Sequence, residues 1–110
     1  MEMSVEKGDG ITRVILAGKL DIKGAAAIDV QFAAVTGTGD RIAVDLQSVD
    51  FIASMGIRVL VMAGKSVAKR NGKFVLYGAN ESVTRVLSAA GLTDFMPLLD
   101  KWETAIAALA

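Results

Sequence analysis

The sequence predicts a single α/β domain with a mixed, mostly parallel β-sheet, an N-terminal hairpin and about four helices. Two observations lead to this prediction. The first two β-type runs are separated only by Gly8-Asp9-Gly10, which favours a hairpin. Further along, segments with helical spacing alternate with short apolar runs, and this alternation requires crossover connections between parallel strands. A length of 110 residues fits one domain, so residues 1–110 are treated as a single unit.

The strands are predicted from runs of β-branched and aromatic residues that are bounded by turn-forming residues. Arg41–Leu46 shows little polar alternation, which predicts burial on both faces of a partly parallel sheet. We expect strands at Met1–Lys7, Ile11–Leu16, Arg41–Leu46 and Lys73–Tyr77, and a short extended piece at Phe95–Leu99.

Met55–Arg70 has the clearest helical pattern, because its apolar residues recur every three or four positions. Asn71-Gly72 supplies a left-handed stop after this helix, and Asn80 is placed to cap the next one. We expect helices at Gly24–Val35, Met55–Arg70, Glu81–Ala90 and Lys101–Ala110.

Composition argues against several classes of function. Lys plus Arg and Asp plus Glu number 12 each, so the net charge gives no reason to expect a nucleic-acid partner. The chain contains no cysteine and no histidine, which removes thiolate chemistry, the commonest metal ligand and the commonest general base. We therefore expect a protein that is not an enzyme and that has no metal site and no cofactor.

The sequence also predicts neither secretion nor membrane insertion. The N-terminal residues lack the basic start and apolar core of a signal peptide. The apolar run Ile57–Ala63 contains Arg58 and is far shorter than the roughly 20 residues that span a bilayer. A cytoplasmic location is the expectation.

Two weaker patterns are interpreted as structural. Gly64-Lys65-Ser66 is similar to the end of a phosphate-binding loop, but Val59 occupies the place of the required first glycine. Asp45 and Asp50 flank the expected end of a strand, as acids do in magnesium sites, but only Asp21 is available after an earlier strand. We interpret these carboxylates as solvated turn or cap residues.

The functional interpretation depends on Ser54, which stands where a short loop gives way to the predicted Met55–Arg70 helix. A serine at this place can cap the helix by accepting a hydrogen bond from a free N–H group. It can also carry a phosphate, which the same N–H groups and the helix dipole would stabilise. The residues alone leave both possibilities open.

Several blocks of sequence, taken together, match the pattern of a known family: Leu20-Asp21, Val44-Asp45-Leu46, Val49, Phe51-Ile52, Ser54, Gly56-Ile57, Asn80–Leu87, Gly91-Leu92 and Phe95. This pattern resembles the STAS domain, the fold of bacterial anti-sigma factor antagonists. The resemblance covers nearly the whole chain, and its most specific part is the block from Phe51 to Ile57. It implies that residues 1–110 form one STAS-like domain.

In that family the serine at this place is phosphorylated by a partner that is both a serine-protein kinase and an anti-sigma factor. The unphosphorylated antagonist binds this partner and frees the sigma factor, and a serine phosphatase resets the phosphorylated form. In this chain the resemblance implies phosphorylation at Ser54, with Gly56 letting the kinase approach the hydroxyl closely. It also implies a partner-binding face formed by Asp21, Ala53, Met55, Gly56 and Ile57.

Two positions differ from the common family pattern and keep a second function open. Ala53 stands where the family commonly has aspartate, and Met55 stands where it commonly has a second hydroxyl. The alternative is a constitutive, non-phosphorylated binding subunit of a transporter or sensory complex, in which Ser54 only caps its helix. The sequence does not predict the oligomeric state.

Overall fold

The computed structural model describes residues 1–94 and 96–110, which form one sheet with helices on both of its faces. In chain order the elements are β1 (Glu2–Gly8), β2 (Ile11–Leu20), α1 (Ile22–Thr36), β3 (Arg41–Ile52), α2 (Ser54–Lys69), β4 (Lys73–Tyr77), α3 (Glu81–Ala89), a 3-10 turn (Leu92–Asp94), β5 (Leu98–Leu99) and α4 (Trp102–Leu109). The strand order in the sheet is β1-β2-β3-β4-β5.

The predicted architecture is confirmed. β1 and β2 pair antiparallel, while β2, β3, β4 and β5 pair parallel to one another. The hairpin turn holds Asp9 at φ 54° and Gly10 at φ 77°, the left-handed geometry that suits the twist of a two-residue hairpin. Helices α1, α2 and α3 cross between parallel strands, as the alternating pattern requires, and α4 follows the last strand.

The core lies mainly between the sheet and the layer formed by α1, α2 and α3. Its central strand β3 is buried on both faces from Ile42 to Leu46, as its apolar run predicts. The largest fully buried apolar side chains on this side of the sheet are Phe32, Leu16, Leu20, Ile42, Leu46, Leu60, Leu76, Leu87 and Leu92. A smaller cluster on the opposite face packs α4 against the sheet and contains Ala43, Val75, Tyr77, Ala105 and Leu109.

Two strands are longer than the sequence indicates. β2 continues past Leu16 to Leu20, and β3 continues past Leu46 to Ile52, with two register shifts between them. The prediction ended β3 too early because polar residues interrupt the apolar run after Leu46, although backbone pairing to β2 continues. The extension carries both strands to the same end of the sheet.

The other boundaries differ by smaller amounts. α1 begins at Ile22 rather than Gly24, since Asp21 supplies its cap. The extended piece expected at Phe95–Leu99 is reduced to β5, and Phe95 itself lies outside the described residues. The predicted cap of α3 is confirmed: the Val83 N–H donates to Oδ1 of Asn80 at 2.8 Å.

Asp45 was predicted as a solvated carboxylate at the end of a strand, and this is wrong. It lies inside β3, is 4% exposed, and accepts hydrogen bonds from Arg13 Nη2 and from the Tyr77 hydroxyl, each at 3.1 Å. The Arg13 guanidinium also lies 4.9 Å from the ring centroid of Trp102, so the first residue of α4 packs against the Arg13–Asp45 ion pair. Asp45 therefore joins strands β2, β3 and β4 on the α4 face.

This cluster gives a prediction for alkaline pH. Burial, together with the negative charge of Asp45, raises the pKa of the Tyr77 hydroxyl from 10.0 to about 12. Because the folded-state pKa lies above that of the unfolded chain, this group stabilises the fold fully below about pH 10, and the stabilisation is lost as the pH rises toward 12. Tyr77 is the single tyrosine and Trp102 the single tryptophan, so absorbance at 295 nm and tryptophan fluorescence follow ionisation and unfolding separately. Ionisation near pH 10 in the still-folded protein would contradict the prediction.

Candidate functional site

The candidate site lies where β2 and β3 end side by side. Leu20 pairs with Ile52 as the last residues of the two strands, and the Ala53 N–H donates to the Leu20 carbonyl at 3.1 Å. α1 and α2 begin immediately beyond this point, so the fold brings Asp21 and Ser54 to the same edge of the sheet.

Asp21 fixes the start of α1. Its backbone is extended, with φ −100° and ψ −164°, and its Oδ1 accepts a hydrogen bond from the Gly24 N–H at 2.8 Å. Its carbonyl also accepts from the Ala25 N–H at 2.8 Å. The half-buried carboxylate thus has a structural role as a helix cap.

Ser54 is the first residue of α2 and not its cap, so the cap interpretation is wrong. The cap position belongs to Ala53, whose backbone is extended at φ −128° and ψ 178° and whose carbonyl accepts the first helical hydrogen bond, from the Ile57 N–H at 3.0 Å. An alanine side chain cannot accept a hydrogen bond, and α2 has no side-chain cap. In the described part of the chain, the exposed Ser54 hydroxyl has no hydrogen-bond partner of its own.

The start of α2 is electrostatically suited to an anion. The N–H groups that precede the first bond of the helical ladder, together with the helix dipole, give this end a partial positive charge. Its first turn contains no acidic side chain, and Arg58 adds a positive charge one turn further along. A phosphate on Ser54 would therefore lie next to favourable partners from its own helix.

Gly56 has a packing role rather than the surface role that the resemblance implied. It is buried, and a Cβ at this position would overlap the Leu20 carbonyl oxygen and the Leu20 side chain. Ile57 is half-buried and packs against the core. Both residues hold α2 against β2, which leaves Ala53, Ser54 and Met55 as the accessible part of the turn.

Large apolar side chains are exposed at the same edge of the sheet as Ser54. Met55 is 40% exposed, Phe51 at the end of β3 is 49% exposed, and Ile22 at the start of α1 is 70% exposed. The contact face predicted from the sequence lacked Phe51 and Ile22. The exposure of Ile22 could have been predicted from the helical spacing of α1, because Ile22 does not fall on the face that carries the buried Ile28 and Phe32.

A groove of about 540 Å³ runs between α1 and α2 from this same end of the molecule. Ile22, Met55 and Met62 contribute exposed apolar surface to it, and Asp29 and Arg58 contribute charges from opposite helices. Clustered apolar exposure of this kind is typical of a surface that contacts another protein.

The fold and this surface define a small α/β domain with an accessible hydroxyl at an edge that also exposes apolar side chains. Among the described residues, no helix is both long enough and apolar enough to cross a bilayer, and no group of acidic residues is arranged to hold a metal ion. The model of the STAS domain family matches residues 2–105, and the chain belongs to that family.

Several relatives of this chain are named as anti-sigma factor antagonists. BtrV of Bordetella bronchiseptica, named as a candidate anti-sigma factor antagonist, is 28% identical over 109 residues, which cover 98% of this chain and 94% of that protein. The crystal structure of an anti-sigma factor antagonist from Mycobacterium paratuberculosis is 26% identical, covers 98% of this chain and 92% of its own, and superposes with a TM-score of 0.90. SpoIIAA of Bacillus, solved in a phosphorylated form, shares the fold at a TM-score of 0.75 and 18% identity, with 99% of this chain and 100% of that chain covered.

Proposed function

We propose that this protein is an anti-sigma factor antagonist whose binding to an anti-sigma factor with serine-kinase activity is switched by phosphorylation of Ser54. The observation that supports this most is the position of the Ser54 hydroxyl: exposed, not engaged as a cap, and placed at the first residue of α2 among exposed apolar side chains. The antagonist function of the relatives supports the same proposal.

The chemical step would be supplied by the partner and by ATP. The Ser54 oxygen forms a bond to the γ-phosphorus, the bond from that phosphorus to the bridging oxygen of ADP breaks, and a base of the kinase takes the hydroxyl proton. The antagonist contributes the nucleophile and no catalytic group. A serine phosphatase would reverse the modification by transferring the phosphoryl group to water.

Phosphorylation of Ser54 would change the charge of the surface without changing the fold. Phosphorylation adds roughly −1.5 to −2 charges and three acceptor oxygens, which α2 can accommodate at its own first turn. Without phosphate, the contact face of Ile22, Phe51, Ala53, Ser54 and Met55 is mainly apolar and would bind the anti-sigma factor, so that the sigma factor is released. With phosphate, the charge must be desolvated against the partner, which weakens binding. The protein would act by binding in the cytoplasm and not by catalysis.

Phosphorylation is tested with purified serine-kinase anti-sigma factors from the same genome. Each is mixed with this protein, Mg²⁺ and ATP, and the intact mass is measured. We expect the cognate kinase to add one phosphoryl group to the wild type and to Ser88→Ala, whose serine is also exposed, and none to Ser54→Ala. An unmodified wild type with every kinase of the panel, or equal modification of Ser54→Ala, would contradict the assignment.

A second function, a constitutive binding subunit of a transporter or sensory complex, is favoured by one observation. Ala53 and Met55 make the turn before and after Ser54 apolar, which suits a permanent contact that needs no modification. Affinity for the partner separates the two functions. Ser54→Glu should leave a constitutive contact nearly unchanged, whereas the switch requires the same substitution to weaken it strongly.

A further inference from the structure

We propose that Arg58 links the phosphate on Ser54 to the groove between α1 and α2, so that phosphorylation changes the charge of the groove as well as that of the contact face. The inference rests on the proposed phosphorylation of Ser54 and adds a mechanism for its effect. It assigns to Arg58 a positioning role that the family resemblance does not supply.

The helix geometry places the two residues together. Arg58 follows Ser54 by four positions on α2, so the two side chains are neighbours on one face of the helix. Arg58 is exposed and lines the groove with Met55 and Met62. Within the described residues its guanidinium takes part in no salt bridge, so no stronger partner has to be displaced.

Two anionic groups then compete for the Arg58 guanidinium. Asp29 of α1 lines the same groove, and its carboxylate is not within salt-bridge distance of Arg58. A phosphate on Ser54 carries more charge than Asp29 and offers oxygens that match the planar fork of a guanidinium in a bidentate contact. The phosphate is therefore the better partner, and it lies toward the N-terminal end of α2.

The groove changes when Arg58 turns toward the phosphate. Before phosphorylation the cation of Arg58 and the carboxylate of Asp29 both line the groove, and their charges offset each other. Afterwards Asp29 remains without the opposing cation, and the wall beside Met62 loses the aliphatic stem that Arg58 supplied. The effect of the phosphate thereby extends beyond the first turn of α2 and along the groove.

The second ionisation of the phosphate measures this contact. Phosphoserine is incorporated at position 54 by genetic-code expansion, without any kinase, and its second pKa, ordinarily about 6, is followed by ³¹P NMR. We expect Arg58→Gln to raise that pKa by about 0.3 unit relative to the wild-type background, because an exposed pair at this spacing contributes a fraction of a unit. Arg58→Lys should retain part of the effect. Lys65→Gln removes the same charge from a more distant exposed position on α2 and should leave the pKa unchanged.

The charged groups around this end of α2 remain in every variant of the series. They are Lys19 at the end of β2, Asp21 and Lys23 at the start of α1, Asp29 in the groove and Asp50 near the end of β3. Their contribution to the phosphate pKa therefore cancels in the comparison. The helix dipole is also common to all of them.

The methionine methyl groups report on the groove itself. Phosphorylation should shift the Met62 methyl resonance in the wild-type background and shift it much less in Arg58→Gln, while the buried Met96 methyl should not move in either. An equal phosphate pKa in wild type and Arg58→Gln, or an equal Met62 shift in both, would overturn the proposal.

The two proposals fail in different experiments. If no kinase of the panel modifies Ser54 but Arg58→Gln still raises the phosphate pKa and reduces the Met62 shift, the proposed function fails while the link between Arg58 and the groove is retained. If a kinase modifies Ser54 but Arg58→Gln changes neither quantity, the switch is retained and the role of Arg58 is excluded.

Discussion

Replacing Gly56 by alanine is expected to lower the free energy of unfolding by about 2 kcal/mol, although glycine is itself unfavourable inside a helix. The added Cβ would overlap the backbone carbonyl of Leu20, which the β2–β3 pairing holds in place. Overpacking typically costs about 1–3 kcal/mol, and a backbone obstacle puts this site at the upper end of that range. A gain of about 1 kcal/mol in helix propensity offsets part of the cost and leaves a loss of about 2 kcal/mol. Urea unfolding followed by the fluorescence of Trp102 measures the difference.

Gly64 supplies the matched control on the same helix. A Cβ at Gly64 would meet the terminal methyl of Met96, which is the end of a flexible side chain and can move aside. Gly64→Ala should therefore be neutral, or more stable by up to about 1 kcal/mol, because only the propensity gain remains. Equal stability of Gly56→Ala and Gly64→Ala would show that the contact with Leu20 is not what requires glycine at position 56.

The largest functional effect is expected from phosphate on Ser54, which should weaken binding to the cognate anti-sigma factor by roughly 100-fold or more, about 3 kcal/mol. The unmodified hydroxyl is exposed next to Met55 in sequence and at the same edge of the sheet as Phe51, so we expect a partner that covers these side chains to cover Ser54 as well. Desolvating a phosphate in that contact costs several kcal/mol unless the partner supplies matching cations. Isothermal titration calorimetry with the unphosphorylated and phosphorylated forms measures the loss.

The control for this comparison places the same kind of charge elsewhere on the surface. Ser88→Glu lies on α3, away from the contact face, and should leave the affinity within about twofold, as expected for a surface substitution. A phosphorylated protein that binds as tightly as the unmodified one would be inconsistent with a switch and would favour the constitutive subunit.

The sequence predicts most accurately those elements in which the spacing of apolar residues matches the face that is buried in the fold. β4 was predicted with its observed bounds, because its residues are almost all apolar and its limits are set by Gly72 and Gly78. The helical spacing of α2 likewise places it to within one residue at each end. The resemblance to the STAS domain rests on these same segments.

The details that decide the site depend on contacts that are distant in the sequence. The extension of β3 is held by backbone pairing to β2. Backbone pairing does not depend on side-chain type, so the residues after Leu46 carry no hydrophobic pattern that would predict a strand. Ser54 lies one position inside α2 because the Ala53 N–H bonds to Leu20, thirty-three positions earlier in the chain. Asp45 is buried because Arg13 and Tyr77 reach it from the neighbouring strands.

The same contacts explain why the site was only partly predicted. Ser54 was expected at a helix start, but neither Asp21 nor Ser54 was expected next to a strand end, because the predicted strands stopped at Leu16 and Leu46. Their place at one edge of the sheet depends on the parallel register of Leu20 with Ile52. The sequence did not predict a functional role for Arg58 or Ile22. Both line a groove between two helices, and such a groove is recognised only when the relative positions of α1 and α2 are known. Gly56 was assigned to the surface, since a sequence does not reveal which backbone approaches a glycine.

Release of the sigma factor in one reaction tests the switch. A labelled sigma factor is bound to its anti-sigma factor, this protein is added, and fluorescence anisotropy follows the fraction of sigma factor that remains bound. With ADP, the wild type and Ser54→Ala should both release the sigma factor. With ATP, the wild type should lose this ability as Ser54 becomes phosphorylated, while Ser54→Ala should continue to release it. Identical behaviour of the two proteins in ATP would contradict control by Ser54.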